Sequence, residues 1–489
     1  MIKTTQKSFG KQITIFHRND PAIVPYDRYY ANDTTPYVPE HWAQEAVEIL
    51  YEKMVFASTV HREFEDEIAA FGDTVHTRKD AELIGKRKQN DLDDVEEQDV
   101  SSENIDVVLN QRIYVTFLLG DRERSMSFKN LVDRFLVNAI QAQTRLIDQS
   151  IGLQAYQFLN NVSGGLDQLS KTNAHDELLN MREVFNDNKT PLENRWLALA
   201  SRSETNMQKA DIFKKANEVG DQGTALRKAL LGEVAGWNTF LELNTPSVRN
   251  ATTRATTTTS AAAIAGATTI DVAAVTDINA GDYITVAGDM TPLRVNSIST
   301  LELTLNRPLK YNIASGAVVT PYESALVNQG SAILKGDKNP AVSDGYPQHW
   351  QKGITFDGTG VPKVGQLVSF STSGGTVLSQ EYGIAQVNGT SILLDRPLEA
   401  SIDDNAVIHL GPSGDYNFAY QRNALAVVNR PMILPPEGSG ARAALGQAHD
   451  LALRVTMAWD SKKEAMRVTV SGLFGVAKLD DARGGVLLG

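Results

Sequence analysis

Cysteine is absent from the 489 residues. That excludes disulfide staples, thiolate metal centres and a cysteine nucleophile together, and suits a reducing compartment. No apolar run approaches the roughly 20 residues of a membrane span, and Met1-Ile-Lys-Thr-Thr-Gln-Lys7 opens without a stretch of signal length, so neither insertion nor secretion by the usual signal is expected. Positive charge is not in surplus: 47 Lys and Arg stand against 59 Asp and Glu, a net charge of -12, which argues against broad coating of a nucleic-acid backbone. Histidine is scarce. The eight residues, at 17, 41, 61, 76, 175, 349, 409 and 449, never fall at the HExxH or HxxxH spacings that put two imidazoles on one helical face for zinc.

Local catalytic signatures are missing too. The chain has no GxSxG elbow and no GxxxxGK[ST] phosphate cradle, and its acidic stretch from 91 to 103 lacks the DxDxDG spacing of a calcium loop. His61 beside Glu63, Glu65 and Asp66 is read as the solvated face of a helix, and Gly72, Gly232, Gly236, Gly484 and Gly485 as tight turns and close packing. Trp42, Trp196, Trp237, Trp350 and Trp459 are scattered through different segments, so they read as core or interface anchors and not as a stacking platform for single strands. No catalytic, cofactor-binding or metal-binding residue is assigned, and no cofactor is expected.

What the chain does contain is structural. Residues 1 to about 40, punctuated by Pro21, Pro25, Pro36 and Pro39, read as an extended arm that cannot bury its own apolar groups. Ala46, Val47, Ile49, Leu50, Met54 and Val55 recur near helical spacing and predict an amphipathic helix from Trp42 to about Phe56. Phe71–Arg78 alternates like a strand, and the branched run Ile105–Phe117 predicts a second, longer one. The charged segment between them is too polar to fold alone, so 71 to 117 reads as a two-stranded excursion with a solvated tip. A helix is predicted from Ser127 to Leu159, about 50 Å long, as a spine. Beyond Gly164-Gly165 an α/β texture predicts a helix near 174–186, a strand at Arg195–Leu199 and a helix at 205–217.

From Thr245 to about Gly414 the composition shifts to Thr, Ser, Ala, Gly and Val with short alternating strands, predicting a β domain inserted between two α/β halves. Gly281–Val286, Leu303–Leu309 and Ala317–Val319 are echoed by Gly365–Phe370, Leu393–Leu398 and Ala406–Ile408, which suggests two tandem β modules. Coincidence in low-diversity β sequence is the alternative.

Four segments carry a family likeness. Phe71-Gly-Asp-Thr-Val-His-Thr-Arg-Lys79 resembles the opening of an extended loop, and Val115-Thr-Phe-Leu-Leu-Gly-Asp121 its return strand. Ala225–Leu243 is similar to an apolar, glycine-bearing run before a domain-boundary strand. Asn417–Val427 with Leu453–Asp460 and Met466–Gly475 resembles a closing section of hairpin and final strand. In this order, over about 60–246 and 415–489, the chain resembles the major capsid proteins of tailed double-stranded DNA bacteriophages with the Hong Kong 97-like fold, including those with an inserted β domain.

The resemblance implies an α+β fold divided into an arm with a short helix (1–60), an extended loop (61–122), a peripheral domain with the spine helix (123–165), a first axial part (166–247), the inserted β domain (248–412) and a return to axial and peripheral domains (413–489). It further implies self-assembly into hexamers and pentamers of an icosahedral head. The expected partners are copies of this chain, a separate scaffolding protein, a portal protein, decoration proteins, and packaged DNA held weakly and without sequence preference. No membrane is involved. The expected location is the virion, after assembly in the host cytoplasm. Another virion or surface component, of tail, baseplate or adhesin type, is the alternative that the tandem β modules suggest.

Overall fold

A computed structural model describes residues 5–8, 11–14, 39–64, 74–79, 85, 97, 103–120, 135–210, 232–327, 346, 353–357, 360–436, 440–448, 451–463 and 465–489. The class is α+β, as the sequence predicts. Within the arm, Thr5–Ser8 and Lys11–Thr14 pair as a short antiparallel hairpin.

Helix α1 (Pro39–Lys53) begins on a proline, whose missing N–H costs nothing in the first turn. It buries Trp42, Ala43, Ala46, Val47 and Leu50 on one face. After the single turn α2 (Phe56–Thr59) the chain enters strand β1 (His61–Phe64). The sequence placed His61 and Glu63 on a helical face. They lie instead on a strand pairing in parallel with Ala426 to Asn429, because Val60 turns extended and the sheet supplies partners that local periodicity does not reveal.

Strands β2 (Thr74–Lys79) and β3 (Glu103–Val108) form an antiparallel ribbon of six pairs, from Thr74 opposite Val108 to Lys79 opposite Glu103. The predicted single strand Ile105–Phe117 is two. The chain leaves the ribbon at Leu109–Asn110 and continues as β4 (Gln111–Gly120), which pairs with a different sheet. Branched composition predicts extended backbone throughout but carries no signal of a change of partner. The acidic stretch between the two ribbon strands lies outside the described residues, apart from Glu97 and Glu103.

The spine is described from residue 135, and its helical path ends at Phe158, one residue before the predicted Leu159. Helix α3 runs Val137–Leu153, 17 residues or about 25 Å, and then tightens to a 3-10 turn over Gln154–Phe158. Positions 127–134 of the predicted helix lie outside the described residues. The tightening has a packing cause: Ile151 through Tyr156 are all buried consecutively, which a one-sided α-helical stripe cannot provide.

Next come β5 (Val162–Gly164), α4 (Ala174–Asp187), β6 (Arg195–Leu199), α5 (Ser201–Gln208) and β7 (Trp237–Leu241). Helix α5 starts at Ser201, not 205, because Asn417 accepts the Ala200 N–H at 2.8 Å and fixes the helix entry from a distant strand. The chain returns as β8 (Gly414–Gln421), β9 (Leu425–Arg430), β10 (Ala441–Ala448), β11 (Leu451–Asp460), β12 (Ala465–Lys478) and β13 (Gly484–Leu488).

Two body sheets result. One runs β5-β13-β8-β6-β7, with Glu233–Val234 at its far edge; the other runs β10-β11-β12-β9-β1, with β4 on β12. Helices α1 and α3 cover Val455, Met457, Val468 and Val470 on one face of the second sheet, and all join one core with Phe158, Tyr416 and Phe418. Packing is close enough that a Cβ on Gly446 would stand 2.1 Å from the Ala43 carbonyl oxygen.

Between β7 and β8 the chain forms two six-stranded sheets with the same strand order. In the first, strands Thr257–Thr258, Thr269–Asp271, Tyr283–Val286, Asp289–Ser299, Glu302–Leu305 and Val318–Pro321 lie in the order first, sixth, third, fourth, fifth, second. In the second, Ser324–Leu326, Ile354–Thr355, Leu367–Ser371, Val377–Asn388, Ser391–Leu394 and Val407–Leu410 repeat that order. The match extends to single bonds. Gly281 N–H donates to Val295 O (2.6 Å) as Gly365 N–H does to Ile384 O (2.7 Å), and Asn279 N–H donates to Asp282 Oδ2 (2.7 Å) as Lys363 N–H does to Gln366 Oε1 (3.0 Å). Each sheet closes over its own apolar cluster.

Candidate assembly surface and buried polar centres

The ribbon β2–β3 stands on the face of the second body sheet opposite the helices. Val75, Val107 and Leu109 are buried against Ala426, Val428, Met432 and Leu473. Gly475 makes this seat possible, since a Cβ there would lie 2.4 Å from the Val108 carbonyl oxygen. Beside the seat, Thr116 and Thr469 share a hydroxyl hydrogen bond at 2.9 Å across β4 and β12, and Tyr114 is 66% exposed. Strand β4 lies at the sheet edge, tied to the second β module where Gln111 Nε2 donates to the Asp395 carbonyl oxygen at 2.6 Å.

Three buried polar centres join the elements. In the first, the Asp148 carboxylate on α3 accepts the N–H groups of Phe56 (3.1 Å), Ala57 (3.4 Å) and Val55 (3.4 Å), closing the start of α2. Burial, assisted by the nearby Glu242 charge, pushes its pKa up to about 7 against the opposing pull of those three donors.

In the second, His409 Nδ1 stands 2.8 Å from Asp282 Oδ1 and its Nε2 stands 2.8 Å from Ser371 Oγ. This is the serine, histidine, aspartate order used in nucleophilic catalysis. Here the serine, histidine and aspartate are 2, 1 and 1% exposed, and Asp282 also pairs with Arg254. The imidazole lies against Gly281, where any Cβ would meet Nε2 at 2.3 Å. In this arrangement the trio fastens the third strand of the first module to the second module.

The third centre is the Glu381–Arg307 ion pair, 7 and 13% exposed, where Tyr283 Oη also donates to Glu381 at 3.1 Å and Asn306 Nδ2 at 3.2 Å. Nearby, Tyr156 Oη donates to the Gly365 carbonyl oxygen, and Gln154 Nε2 reaches Asp395 at 3.3 Å. The spine and both modules are thus bonded into one polar seam. None of these centres is legible locally, because partners such as Asp282, Ser371 and His409 sit on separate strands.

Among the described residues, no group of three or more His, Asp or Glu side chains is placed to hold a metal ion, and no helix is long and apolar enough to cross a membrane. Of the five tryptophans, Trp42 and Trp237 are fully buried, Trp196 packs at the core margin, Trp459 is 50% exposed, and Trp350 lies outside the described residues.

No family model and no curated protein matches the sequence. Solved structures do. The chain is similar to a structure from Mycobacterium phage Che8 over 89% of this chain and 90% of that one, with 11% identity and a TM-score of 0.40. It is also similar to the capsid structure of cyanophage P-SCSP1u (89 and 87% covered, 8% identity, TM-score 0.41) and to the mature capsid of bacteriophage PhiM1 (89 and 86% covered, 7% identity, TM-score 0.38).

Proposed function

We propose that this chain is the major capsid protein of a tailed double-stranded DNA phage, building a closed icosahedral head from hexamers and pentamers of itself. The observation that carries the reading is the ribbon β2–β3, with its buried valines gathered at a glycine-cut seat. The base of the ribbon is seated on its own sheet, but beyond that seat it leads into a strongly acidic segment that cannot bury a core of its own, and this outer part calls for a neighbouring subunit to lie on. A lattice supplies that neighbour at every position, and the proline-punctuated arm needs the same support.

On this reading, 61–122 serves as the extended loop, 123–165 as the peripheral domain, 166–247 and 413–489 as the axial and closing parts, and 248–412 as an inserted domain. A separate scaffolding protein, a portal and decoration proteins are its partners, and the mature particle holds DNA. Cryo-electron microscopy of the purified, expressed chain, alone and with its scaffolding partner, is the test. Closed shells with five- and six-fold capsomers are expected. Fibres or flat rings would instead favour a tail or adhesin component.

A further inference from the structure

Strands β6 and β7 run in parallel and end side by side, Leu199 opposite Leu241. From β6 the chain passes through Ala200 into helix α5, and from β7 into the loop 242–249; a cleft of about 470 Å³ opens between helix and loop. Crevices outside the carboxyl ends of parallel strands are where α/β sheets receive ligands. This one meets the start of α5, whose cap residue, Ala200, offers no side-chain acceptor to the N–H groups of the first turn. Those donors and the helix dipole favour an anion.

The lining agrees in sign. Among the described residues it carries Arg202, Lys209 and Arg249 against Glu242 alone. The carboxylates at hand are already engaged. Asp415 accepts the Ser203 and Ser247 hydroxyls at 2.8 and 2.7 Å and Arg249 Nη2 at 2.5 Å, Asp167 pairs with Arg202, and Glu242 accepts the Asn244 N–H at 3.0 Å. Two donors are left over. Thr245 lines the cleft, is 4% exposed and has a hydroxyl with no hydrogen-bond partner; Arg249 Nη1, 3.7 Å from Asp167 Oδ1, is buried and donates to nothing. A buried donor in that state is costly until an acceptor reaches it.

A phosphoryl group suits these donors. Its terminal oxygens point in tetrahedral directions and can meet a hydroxyl, a guanidinium and helix N–H groups together, whereas a carboxylate offers its oxygens in one plane. Leu243, 78% exposed on the cleft's rim, adds apolar contact for an organic group attached to the phosphate. We propose that this cleft binds a small phosphomonoester, with the phosphoryl group at the start of α5 between Arg202, Thr245 and Arg249 and the organic part along Leu243 toward Lys209. A phosphodiester inside duplex DNA has fewer free oxygens and is flanked by chain on both sides, so it does not fit. The cleft lies within one chain, and the proposal does not depend on the shell reading.

The test is calorimetric titration of the full chain in chloride buffer at constant ionic strength, with inorganic phosphate and then adenosine monophosphate as probes. One phosphate per chain is expected, with a Kd of about 1 mM or tighter, and adenosine monophosphate should bind more tightly than phosphate alone. A blunt duplex without terminal phosphates should not compete. Absence of phosphate binding, adenosine monophosphate no tighter than phosphate, or displacement by the duplex would each overturn the proposal.

Two variants locate the site. Thr245→Val removes the unpartnered hydroxyl, so the variant should melt at or above the wild-type temperature without ligand and yet bind phosphate about tenfold more weakly. Arg202→Glu changes a side chain that is 47% exposed; it should leave the fold intact and abolish binding. Unchanged phosphate affinity in either variant places the anion elsewhere and defeats the proposal. Neither substitution should alter particle formation, so failure of this site and failure of the shell reading are read separately.

Discussion

Asp148 shows how one side chain ties stability to pH. Its carboxyl, pushed up to about 7, keeps in the folded state a proton that the unfolded chain releases near the ordinary carboxyl value of 3.8. Between those values the folded state binds more protons, so stability falls as pH rises through this window and the loss is complete above it, on the order of 4 kcal/mol at most. Asp148→Asn removes the titration and keeps one oxygen to accept an N–H. The wild-type melting temperature should therefore drop between pH 4.5 and 7.5 by several degrees more than that of the variant, measured by calorimetry on the unassembled chain. Parallel pH profiles would refute the assignment. Nothing near Asp148 in sequence announces this role, since its three donors lie 91 to 93 residues away. The same holds for His409, 127 residues from Asp282. Composition and local spacing report which groups are available, and only tertiary packing brings them together.

At the scale of elements, periodicity served best where one partner governs a whole segment. Helices α1 and α4 and strand β6 fall close to where their apolar spacing puts them, because each helix buries one face and the strand keeps the same two flanking strands along its length. It failed where neighbours change along the chain: at Leu109–Asn110, where a branched run passes from ribbon to sheet, and at Gln154, where all-round burial tightens the spine. The repeat at 281–286 and 365–370 was legible because both copies keep the glycine that starts the third strand, and Gly281 and Gly365 have φ values of 96° and 81° that favour glycine. The ribbon's seat yields two predictions. Gly475→Ala should cost about 1–3 kcal/mol through its clash with the Val108 carbonyl and should lower assembly yield further than its effect on melting explains. Hydrogen exchange at Thr74–Lys79 and Glu103–Val108 should be fast in the free subunit and at least tenfold slower in particles. Equal protection in both states would show that the ribbon needs no neighbour.

For the whole molecule the decisive quantity is charge. Each chain carries a net charge of -12, and in the proposed shell that figure would be multiplied by the copy number. Duplex DNA binds proteins chiefly through phosphate contacts with Lys and Arg and the counterions they release, so an acidic wall offers little affinity and a shallow salt dependence. In the proposed head, weak contact would also suit packing, since DNA forced inside must slide past the wall. The basic residues of the arm, Lys3, Lys7, Lys11 and Arg18, are local exceptions, and isolated surface charges of this kind contribute little singly. Free subunits titrated with duplex DNA across a salt series should show no binding near physiological ionic strength and only weak, sequence-independent binding at low salt. Substituting the four arm residues with Gln should abolish what remains. Tight binding with base discrimination would be incompatible with a passive inner wall, and would mean that a surface of this acidic chain concentrates enough positive charge and donor geometry to read bases, which makes that surface, and not the lattice, the centre of its function.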